Sequence, residues 1–421
     1  MILIKNGRMI DPSQNKDEIS DILIDNGMIT DIQKDIKNVP DGCEVIDATG
    51  CIVAPGFMDG HVHFRDPGFT HKEDIETGAA AAKKGGYTTV VCMANTKPVI
   101  DNTDTLDYVI EKGKKTGIHI LSAATVTIGM QGKELVDMPA LADKEAVVFT
   151  DDGLPILDEA VLKNAMLTAK ALDIPISLHE EDPSYITSPG VNKGKVSEKL
   201  GYGGADRLAE EVMVERDCKL AYETGAKLCI QHISSAGSVD IVRSYKAKGA
   251  DVHAEATPHH FSLTEEAVLT HGTNAKMNPP LRTEADRQAI IKGLADGTID
   301  MIATDHAPHS KDEKSRPLIE APSGIIGLET AFSLAIKNLV KPGHMTLTDV
   351  IRCMTVNLAD FYGVKFWSIS EGSTADLVIF DPDSEWTVTD FASKASNSPF
   401  IGLTLPAKIR YTIANGNIVY R

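Results

Sequence analysis

Cysteines are few in this sequence, and they form no closely spaced pair. The six cysteines stand far apart along the chain, at Cys43, Cys51, Cys92, Cys218, Cys229 and Cys353. A disulfide framework or a thiolate metal site needs regular or Cys-x-x-Cys spacing, so the sequence argues against both. We expect the six cysteines to be buried or free thiols.

Long apolar runs and an excess of basic residues are missing as well. No run of 18 apolar residues occurs and no basic-then-apolar segment opens the chain, so we predict no membrane association and a cytoplasmic location. The 42 Lys and Arg residues are outnumbered by 60 Asp and Glu residues, giving a formal net charge of −18. Nucleic-acid binding needs concentrated basic residues, so nucleic acid is not a predicted partner. An anionic substrate would need local positive charge, which metal ions and an arginine would supply.

What is present is an ordinary globular composition at the length of two domains. The chain has 421 residues, of which 42% are hydrophobic and 24% are charged. That length is too great for one small core, and it suits a barrel of about 250 residues with an added domain.

Both ends of the chain carry short apolar runs with Asn-Gly pairs. These are Asn6-Gly7 and Asn26-Gly27 near the start and Asn415-Gly416 near the end. Asn-Gly between apolar runs is typical of a type I′ hairpin turn. Neither end has enough strands for a stable sheet, so we predict that residues 1–54 and 364–421 pair into one composite β-sandwich domain.

The middle of the chain, residues 55–363, alternates β-branched runs with longer stretches rich in Ala, Glu and Lys, such as 72–84 and 284–296. Eight predicted strands lead into His63, Asn95, Ala124, Asp151, His179, His232, Ala256 and Asp305. A strand and a helix repeated eight times is the pattern of a (β/α)8 TIM-like barrel. An open dinucleotide-binding sheet would carry G-x-G-x-x-G after its first strand, and none is found there.

Histidines and acids close several predicted barrel strands. His61 and His63 are two apart on an extended strand, so both point to the same side. The other strand-closing candidates are Asp151 and Asp152, His179, His232 and Asp305. Active sites of such barrels form at the carboxyl ends of the strands, where these side chains would meet. Four imidazoles and two carboxylates can hold two divalent ions, zinc being the expected metal, around an open position for water.

Two segments resemble the signatures of the dihydroorotases, a family of the amidohydrolase superfamily. One is Asp59-Gly-His-Val-His-Phe-Arg-Asp-Pro-Gly68, and the other is Ala303-Thr-Asp-His-Ala-Pro-His-Ser-Lys-Asp-Glu-Lys314. The second is the more discriminating, because the wider superfamily shares only the His-x-His pair and the final Asp. The resemblance spans the whole chain.

The resemblance implies a reversible, metal-dependent cyclisation of N-carbamoyl-L-aspartate to L-dihydroorotate with loss of water, a step of pyrimidine biosynthesis. The ligands it assigns are His61, His63 and Asp305 for one ion, His179 and His232 for the other, and Asp152 as the bridge. The residues alone leave Asp151 open as the bridging acid. The substrate contacts it assigns are Arg65, Asn95 and His309 for the α-carboxylate, and Asn278, Ser323 and Gly324 for the ring. Ser323 and Gly60 depart from the usual family pattern, and we expect Gly60 to add backbone freedom beside a ligand.

The residue chemistry agrees with that assignment. Metal ions acidify a water and polarise a carbonyl. Asp305 could take the proton and pass it to the leaving nitrogen, as base and then as acid. Arg65 offers a bidentate fork for a carboxylate that a neutral hydantoin lacks.

Two other functions remain in view. Hydantoinase-like or allantoinase-like enzymes of the superfamily carry a carbamylated lysine at the bridge, but no lysine ends the fourth strand here. A non-catalytic subunit that scaffolds aspartate carbamoyltransferase would have lost ligands, whereas all six are present. Association with that enzyme and a homodimer are the predicted macromolecular contacts, the dimer being the default for such enzymes.

Overall fold

The computed structural model describes residues 1–39, 41–365 and 368–421, which build two eight-stranded sheets and the helices around them. In chain order the strands are β1 (Ile2–Asp11), β2 (Lys16–Asp25), β3 (Met28–Gln33), β4 (Glu44–Asp47), β5 (Ile52–Pro55), β6 (Phe57–Val62), β7 (Tyr87–Cys92), β8 (His119–Ala124), β9 (Ala146–Phe149), β10 (Ile176–Leu178), β11 (Leu228–Ile230), β12 (Val252–Ala256), β13 (Met301–Ile302), β14 (Leu377–Thr387), β15 (Thr404–Ala414) and β16 (Asn417–Tyr420).

The helices follow the barrel strands and continue beyond them. They are α1 (Ile75–Lys84), α2 (Thr103–Gly113), α3 (Met138–Asp143), α4 (Glu159–Ala171), α5 (Lys195–Lys199), α6 (Leu208–Thr224), α7 (Ala236–Ala247), α8 (Pro258–Ser262), α9 (Ala267–His271), α10 (Glu284–Ala295), α11 (Lys311–Lys314), α12 (Ala331–Ala335), α13 (Leu347–Cys353) and α14 (Val356–Tyr362). Short 3₁₀ turns lie at Ile128–Met130, Pro183–Tyr185 and Gly272–Ala275, and Ile336–Val340 is π-helical. In the described part of the chain, no helix is both long and apolar enough to span a membrane.

One sheet is mixed and draws its strands from both ends of the chain. Its order is β16-β15-β14-β5-β1-β2-β3, with β4 paired to β1. The seam between the two chain ends is the antiparallel pair of β5 and β14, in which Pro55 faces Leu377 and Ile52 faces Phe380. A separate buried cluster of apolar side chains, including Ile4, Ile24 and Ile413, belongs to this sheet. The prediction that both termini build one β unit is confirmed.

The Asn-Gly pairs divide into two kinds. Asn26-Gly27 joins β2 to β3 and Asn415-Gly416 joins β15 to β16, and all four residues have the positive φ of a type I′ turn. The interpretation of Asn6-Gly7 as a hairpin turn was wrong. β1 runs straight through this pair, and its register against β2 shifts there, so the positive φ of Asn6 belongs to a bulge.

The second sheet is the predicted parallel barrel, with neighbours in chain order from β6 to β13. A parallel bridge joins Val62 to His306, and the His63 N–H donates to the His306 carbonyl at 2.9 Å, so the two edges of the sheet meet. The fold class predicted from the sequence is confirmed. The strands are shorter than predicted because their last residues leave the ladder to form the loops at the barrel mouth.

Polar caps explain where the helices around the barrel begin. Asp74 accepts a hydrogen bond from the Thr77 N–H at the start of α1, so the helix begins after the predicted residue 72. Thr283 and Asp286 form a reciprocal capping box at the start of α10. Caps of this kind satisfy backbone N–H groups that the first helical turn leaves unpaired.

Gly60 lies at a close contact between β6 and α14. Its carbonyl accepts a hydrogen bond from the Tyr362 hydroxyl at 2.8 Å. A Cβ at this position would lie 2.6 Å from that hydroxyl oxygen and 2.9 Å from a methyl carbon of Leu358. Gly60 therefore lets the helix pack against the strand beside His61, and the expectation that it adds backbone freedom was wrong.

We expect Gly60→Ala to lower the free energy of unfolding by about 1–3 kcal/mol, because the added methyl group overpacks this contact. Urea denaturation of the mutant and the parent would measure the loss. In a Tyr362→Phe background, which removes the nearest oxygen, the same substitution should have a smaller effect. Equal unfolding midpoints for Gly60→Ala and the parent would contradict this account.

Candidate metal and active site

The predicted metal ligands meet at the carboxyl ends of the barrel strands. His61 lies in β6, and the others follow β6, β9, β10, β11 and β13 within one to three residues. All six are buried, with between 0% and 6% of their surface exposed: His61, His63, Asp152, His179, His232 and Asp305. Five of them line a cavity of about 220 Å³, and His61 lies beneath it.

One group of ligand atoms forms around the two histidines of the His-x-His pair. The Nε2 atoms of His61 and His63 each lie 3.4 Å from an oxygen of Asp152. Oδ1 of Asp305 lies 3.0 Å from His63 Nε2 and 3.7 Å from His61 Nε2. His61 Nε2 is buried and has no hydrogen-bond partner among the described residues. A buried nitrogen lone pair without a partner suits a metal ligand.

A second group forms on the other side of Asp152. His179 Nδ1 and His232 Nε2 are 3.0 Å apart, and they lie 3.9 and 3.8 Å from Asp152 Oδ1. In each group the potential ligand atoms lie within 4.8 Å of one another, and Asp152 belongs to both groups. These donor sets of imidazole nitrogen and carboxylate oxygen are typical of divalent metal sites.

Asp151 faces away from both groups. Its carboxylate accepts hydrogen bonds from the backbone N–H groups of Val126 and Thr127 and from the Thr127 hydroxyl. It therefore anchors the loop after β8. The structure places Asp152 alone of the two acids between the imidazoles.

Three of the four predicted ligand histidines, His61, His63 and His179, are held by a polar side chain on the other ring nitrogen. Glu255 in β12 accepts from His61 Nδ1 at 2.5 Å, and Asn95 accepts from His63 Nδ1 at 2.9 Å. Glu181 accepts from His179 Nε2 at 3.2 Å. Such contacts orient the imidazole and direct its other nitrogen toward the metal position.

Sequence reasoning missed Glu255 and Glu181. The signal for Glu255 was a carboxylate inside an otherwise apolar strand, where a buried charge requires a partner. The signal for Glu181 was its spacing of two residues from His179, which in extended chain puts both side chains on one side.

Two of the predicted ligands have a backbone conformation that side chains rarely adopt. φ is +29° at His232 and +47° at Asp305. Strained backbone at a site persists where surrounding contacts hold it. Asp59, from the first signature, accepts a hydrogen bond from the backbone N–H of Thr304, beside Asp305, and Glu255 accepts one from the backbone N–H of His232 at 3.2 Å.

Charges in the pocket favour ionised carboxylates. Burial opposes ionisation of Asp305, yet the hydrogen bond from His63 and the charge of His61 hold the pKa of Asp305 well below its usual range. Burial likewise opposes the charged form of His61, but the carboxylates of Glu255 and Asp152 raise its pKa well above its usual range. The centre of the pocket therefore stabilises positive charge.

The predicted substrate-binding residues line the same cavity: Arg65, Asn95, Asn278, His309, Ser323 and Gly324. Arg65 has φ of +60° and donates from Nε to the Pro308 carbonyl at 3.3 Å, and its two terminal guanidinium nitrogens have no hydrogen-bond partner within the described ranges of the chain. His309 donates its Nε2–H to the Ser323 carbonyl at 2.8 Å. Burial and the charge of Arg65 lower the pKa of His309 to about 2, so the ring is neutral.

Two of these residues donate hydrogen bonds to acids of the predicted metal site. Asn95 donates from Nδ2 to the carbonyl and side-chain oxygens of Asp152, at 3.2 and 3.0 Å. Asn278 donates to Glu181 at 2.5 Å, while its own side-chain oxygen is buried and has no partner in the part of the chain that the structure describes. That oxygen is available to accept a hydrogen bond from an N–H group of a ligand.

His306, next to Asp305, has structural partners. Its Nδ1 accepts from the backbone N–H of Gly327 at 3.2 Å, and its Nε2 lies 3.4 Å from the Glu73 carboxylate. Glu73 also binds the Ser393 hydroxyl and the backbone N–H of Lys394. This network ties the barrel mouth to the segment that leads from β14 to β15.

Comparison with known proteins gives a family and close relatives. The model of the amidohydrolase family matches residues 52–419. A dihydroorotase of Clostridioides difficile strain 630 is 58% identical over 420 residues, covering 100% of both chains. Dihydroorotases of Clostridium acetobutylicum and Lactococcus lactis are 57% and 48% identical, each covering 100% of this chain and 99% of its own.

Solved structures agree on the fold. An L-hydantoinase (dihydropyrimidinase) from Arthrobacter aurescens has a TM-score of 0.86 at 24% identity, covering 99% of this chain and 95% of its own. A dihydropyrimidinase from Brevibacillus agri has a TM-score of 0.84 at 22% identity, covering 100% and 95%. At this identity the likeness concerns the barrel and the mixed sheet alone.

We expect Glu255→Gln to weaken zinc binding about 10- to 100-fold, because the neutral amide holds the His61 ring less firmly than the carboxylate does. Competition with a coloured chelator would measure the affinity. Glu76→Gln, on the exposed face of α1, is the matched control and should bind like the parent. Parental affinity in Glu255→Gln would show that this contact does not support the site.

Proposed function

The chain belongs to the amidohydrolase family and acts within it as a dihydroorotase, and from this premise we propose which of its residues hold the metal, move the proton and select the substrate. The reaction is the reversible cyclisation of N-carbamoyl-L-aspartate to L-dihydroorotate with loss of water. The observation that carries the assignment is 58% identity to a dihydroorotase over the full length of both chains.

The amidohydrolase family and the two His/Asp groups indicate a divalent metal. We propose two ions, both zinc, one held by His61, His63 and Asp305 and the other by His179 and His232, with Asp152 shared. The support is the position of Asp152 in both groups and the unpartnered Nε2 of His61. When bound, divalent ions acidify a water and polarise the carbonyl under attack.

Asp305 is the proposed proton carrier. In ring opening its carboxylate takes a proton from the attacking water and delivers it to the ring nitrogen as the amide bond breaks. In ring closure the side-chain carboxyl group reacts in its protonated form: the ureido nitrogen attacks its carbon, the C–N bond forms as the C–OH bond breaks, and Asp305 moves the proton of that nitrogen to the departing hydroxyl group, which leaves as water. The support for this role is the position of Asp305, whose carboxylate lies 3.0 Å from His63 Nε2 and 3.7 Å from His61 Nε2 at the carboxyl ends of the strands.

Arg65 and His309 are proposed to bind the substrate carboxylate. The two free guanidinium nitrogens match both oxygens of a carboxylate. His309 would share its Nε2–H between the substrate and the Ser323 carbonyl. Asn95 would join them by giving up one of its bonds to Asp152. Asn278 is proposed to accept from an N–H of the pyrimidine ring, because its unpartnered oxygen is buried at the cavity.

The geometry counts against the two other functions. The residue between the imidazole groups is Asp152, where hydantoinase-like enzymes would need a lysine. A scaffold without activity would not need four imidazoles and two acids within a few ångströms of one another.

Other features stay predictions. They are a homodimer, association with aspartate carbamoyltransferase and a cytoplasmic location. We also propose a division into domains of residues 1–54 with 364–421 and residues 55–363. The support is that β5 ends at Pro55 in the mixed sheet while β6 begins at Phe57 in the barrel, and that Gly363 ends α14 in a left-handed conformation.

We expect Asp305→Ala to fold and to lose about 10²- to 10⁴-fold in turnover in both directions, the range of general acid–base catalysis. Initial rates and metal content, measured on the same samples, would test this. The parent should carry about two zinc ions per chain. Asp312→Ala, an exposed acid in α11, is the control and should keep full activity. Substantial turnover by Asp305→Ala would exclude the proton-transfer role.

We expect Arg65→Met to lower kcat/KM for L-dihydroorotate about 10- to 100-fold, because a charged hydrogen-bonding partner of the carboxylate is lost. Turnover of dihydrouracil, which has the same ring without the carboxylate, should change little. Arg65→Lys should recover part of the activity. An equal loss of kcat/KM on both substrates would mean that Arg65 does not bind the carboxylate.

A further inference from the structure

Ser323 and Gly324 reach the cavity at the end of a short segment, residues 317–324, here called the 317–324 loop. The backbone of its last two residues makes hydrogen bonds with His309, Lys276 and Asn397. The Ser323 carbonyl accepts from His309, and the Gly324 N–H donates to the Lys276 carbonyl at 3.0 Å. The Gly324 carbonyl accepts from the side chain of Asn397 at 3.1 Å. The position of this loop therefore sets both the wall of the cavity and the orientation of the His309 ring.

Two buried lysines hold the loop by its carbonyl oxygens. Lys276 Nζ donates to the Leu318 carbonyl at 2.6 Å and to the Ala321 carbonyl at 2.7 Å. Lys314 Nζ donates to the carbonyls of Pro322 and Gly324, both at 3.0 Å. Lys276 Nζ also lies 3.4 Å from the Ile319 carbonyl, so the two amino groups together bind five carbonyls between Leu318 and Gly324.

Such burial of two ammonium groups is unusual. Lys276 is 2% exposed and Lys314 is 7% exposed, and neither has an ion pair with a carboxylate among the described residues. Removing an ammonium from water opposes folding unless it is well hydrogen bonded. Burial and the charge of Lys276 lower the pKa of Lys314 to about 7. The fold therefore keeps two buried hydrogen-bonding amino groups where apolar side chains would fill the same space without this penalty.

Lys314 also closes the second sequence signature, five residues after His309, and none of the proposed catalytic steps uses it. We propose that Lys276 and Lys314 are positioning residues for substrate binding, whose ammonium groups hold the 317–324 loop so that its backbone and His309 face the substrate. This inference rests on the proposed function of the cavity. Both lysines act through the loop and not on the reacting atoms, so they should affect substrate binding more than the chemical step.

Lys314→Met and Lys276→Met keep most of the side-chain volume and remove the donors. Each should raise KM for L-dihydroorotate at least tenfold, change kcat less than threefold and leave metal content unchanged. Lys314→Gln, which retains an N–H donor, should recover part of the affinity. Lys311→Met, on the exposed face of α11, is the matched control and should keep the parental KM.

Hydrogen exchange of the peptide covering residues 315–326, read by mass spectrometry, would report the loop independently of activity. It should be faster in both methionine variants and unchanged in Lys311→Met. Parental KM and exchange in Lys314→Met would overturn the inference, as would failure of Lys314→Met, Lys314→Gln and Lys276→Met all to fold. An inactive parent enzyme would instead refute the proposed function.

Discussion

The carboxylate of Asp152 is the contact on which the site depends. It lies between two pairs of imidazoles that reach it from β6, β10 and β11, and Asn95 holds it from the end of β7. These strands are brought together only by closure of the barrel, so the pocket exists because the sheet curls until its edges meet. A buried negative group is costly by itself. The same placement makes the pocket a strong binder of cations, which is what the proposed chemistry requires.

Much of this arrangement could be predicted from residues at strand ends. The sequence alone indicates the pocket, through the eight-strand pattern, the alternation of His61 and His63 and the acids near the end of the fourth strand. The residues alone could not separate Asp151 from Asp152, because the choice depends on which acid meets the backbone N–H groups of the loop after β8. Glu255 was missed because its partner His61 comes from a distant strand, and Glu181 was missed because it lies beyond the end of β10, where the alternation of a strand no longer predicts which way a side chain points. Asn6-Gly7 was interpreted wrongly as a hairpin turn because a positive φ occurs both in hairpin turns and in bulges inside a long strand.

The fold itself does not select the reaction. Hydantoinase and dihydropyrimidinase structures superpose on this chain with TM-scores of 0.86 and 0.84, although their sequences are only 24% and 22% identical to it. We propose that selectivity arises at the barrel mouth, where Arg65 follows the His-x-His pair and the chain after Asp305 supplies His309. On this proposal selectivity is a property of loops that the barrel positions, as is general in this architecture.

The mixed sheet has a consequence for biosynthesis of the polypeptide. β5 leaves the ribosome early, but its antiparallel neighbour β14 is translated only after the whole barrel. Until then one edge of the N-terminal strands is open, and unpaired edges recruit other chains. In a nascent polypeptide of this topology, that strand edge must be kept from pairing with other chains through most of translation. If translation stalls before β14 is made, we expect the nascent chain to aggregate through its unpaired N-terminal strands.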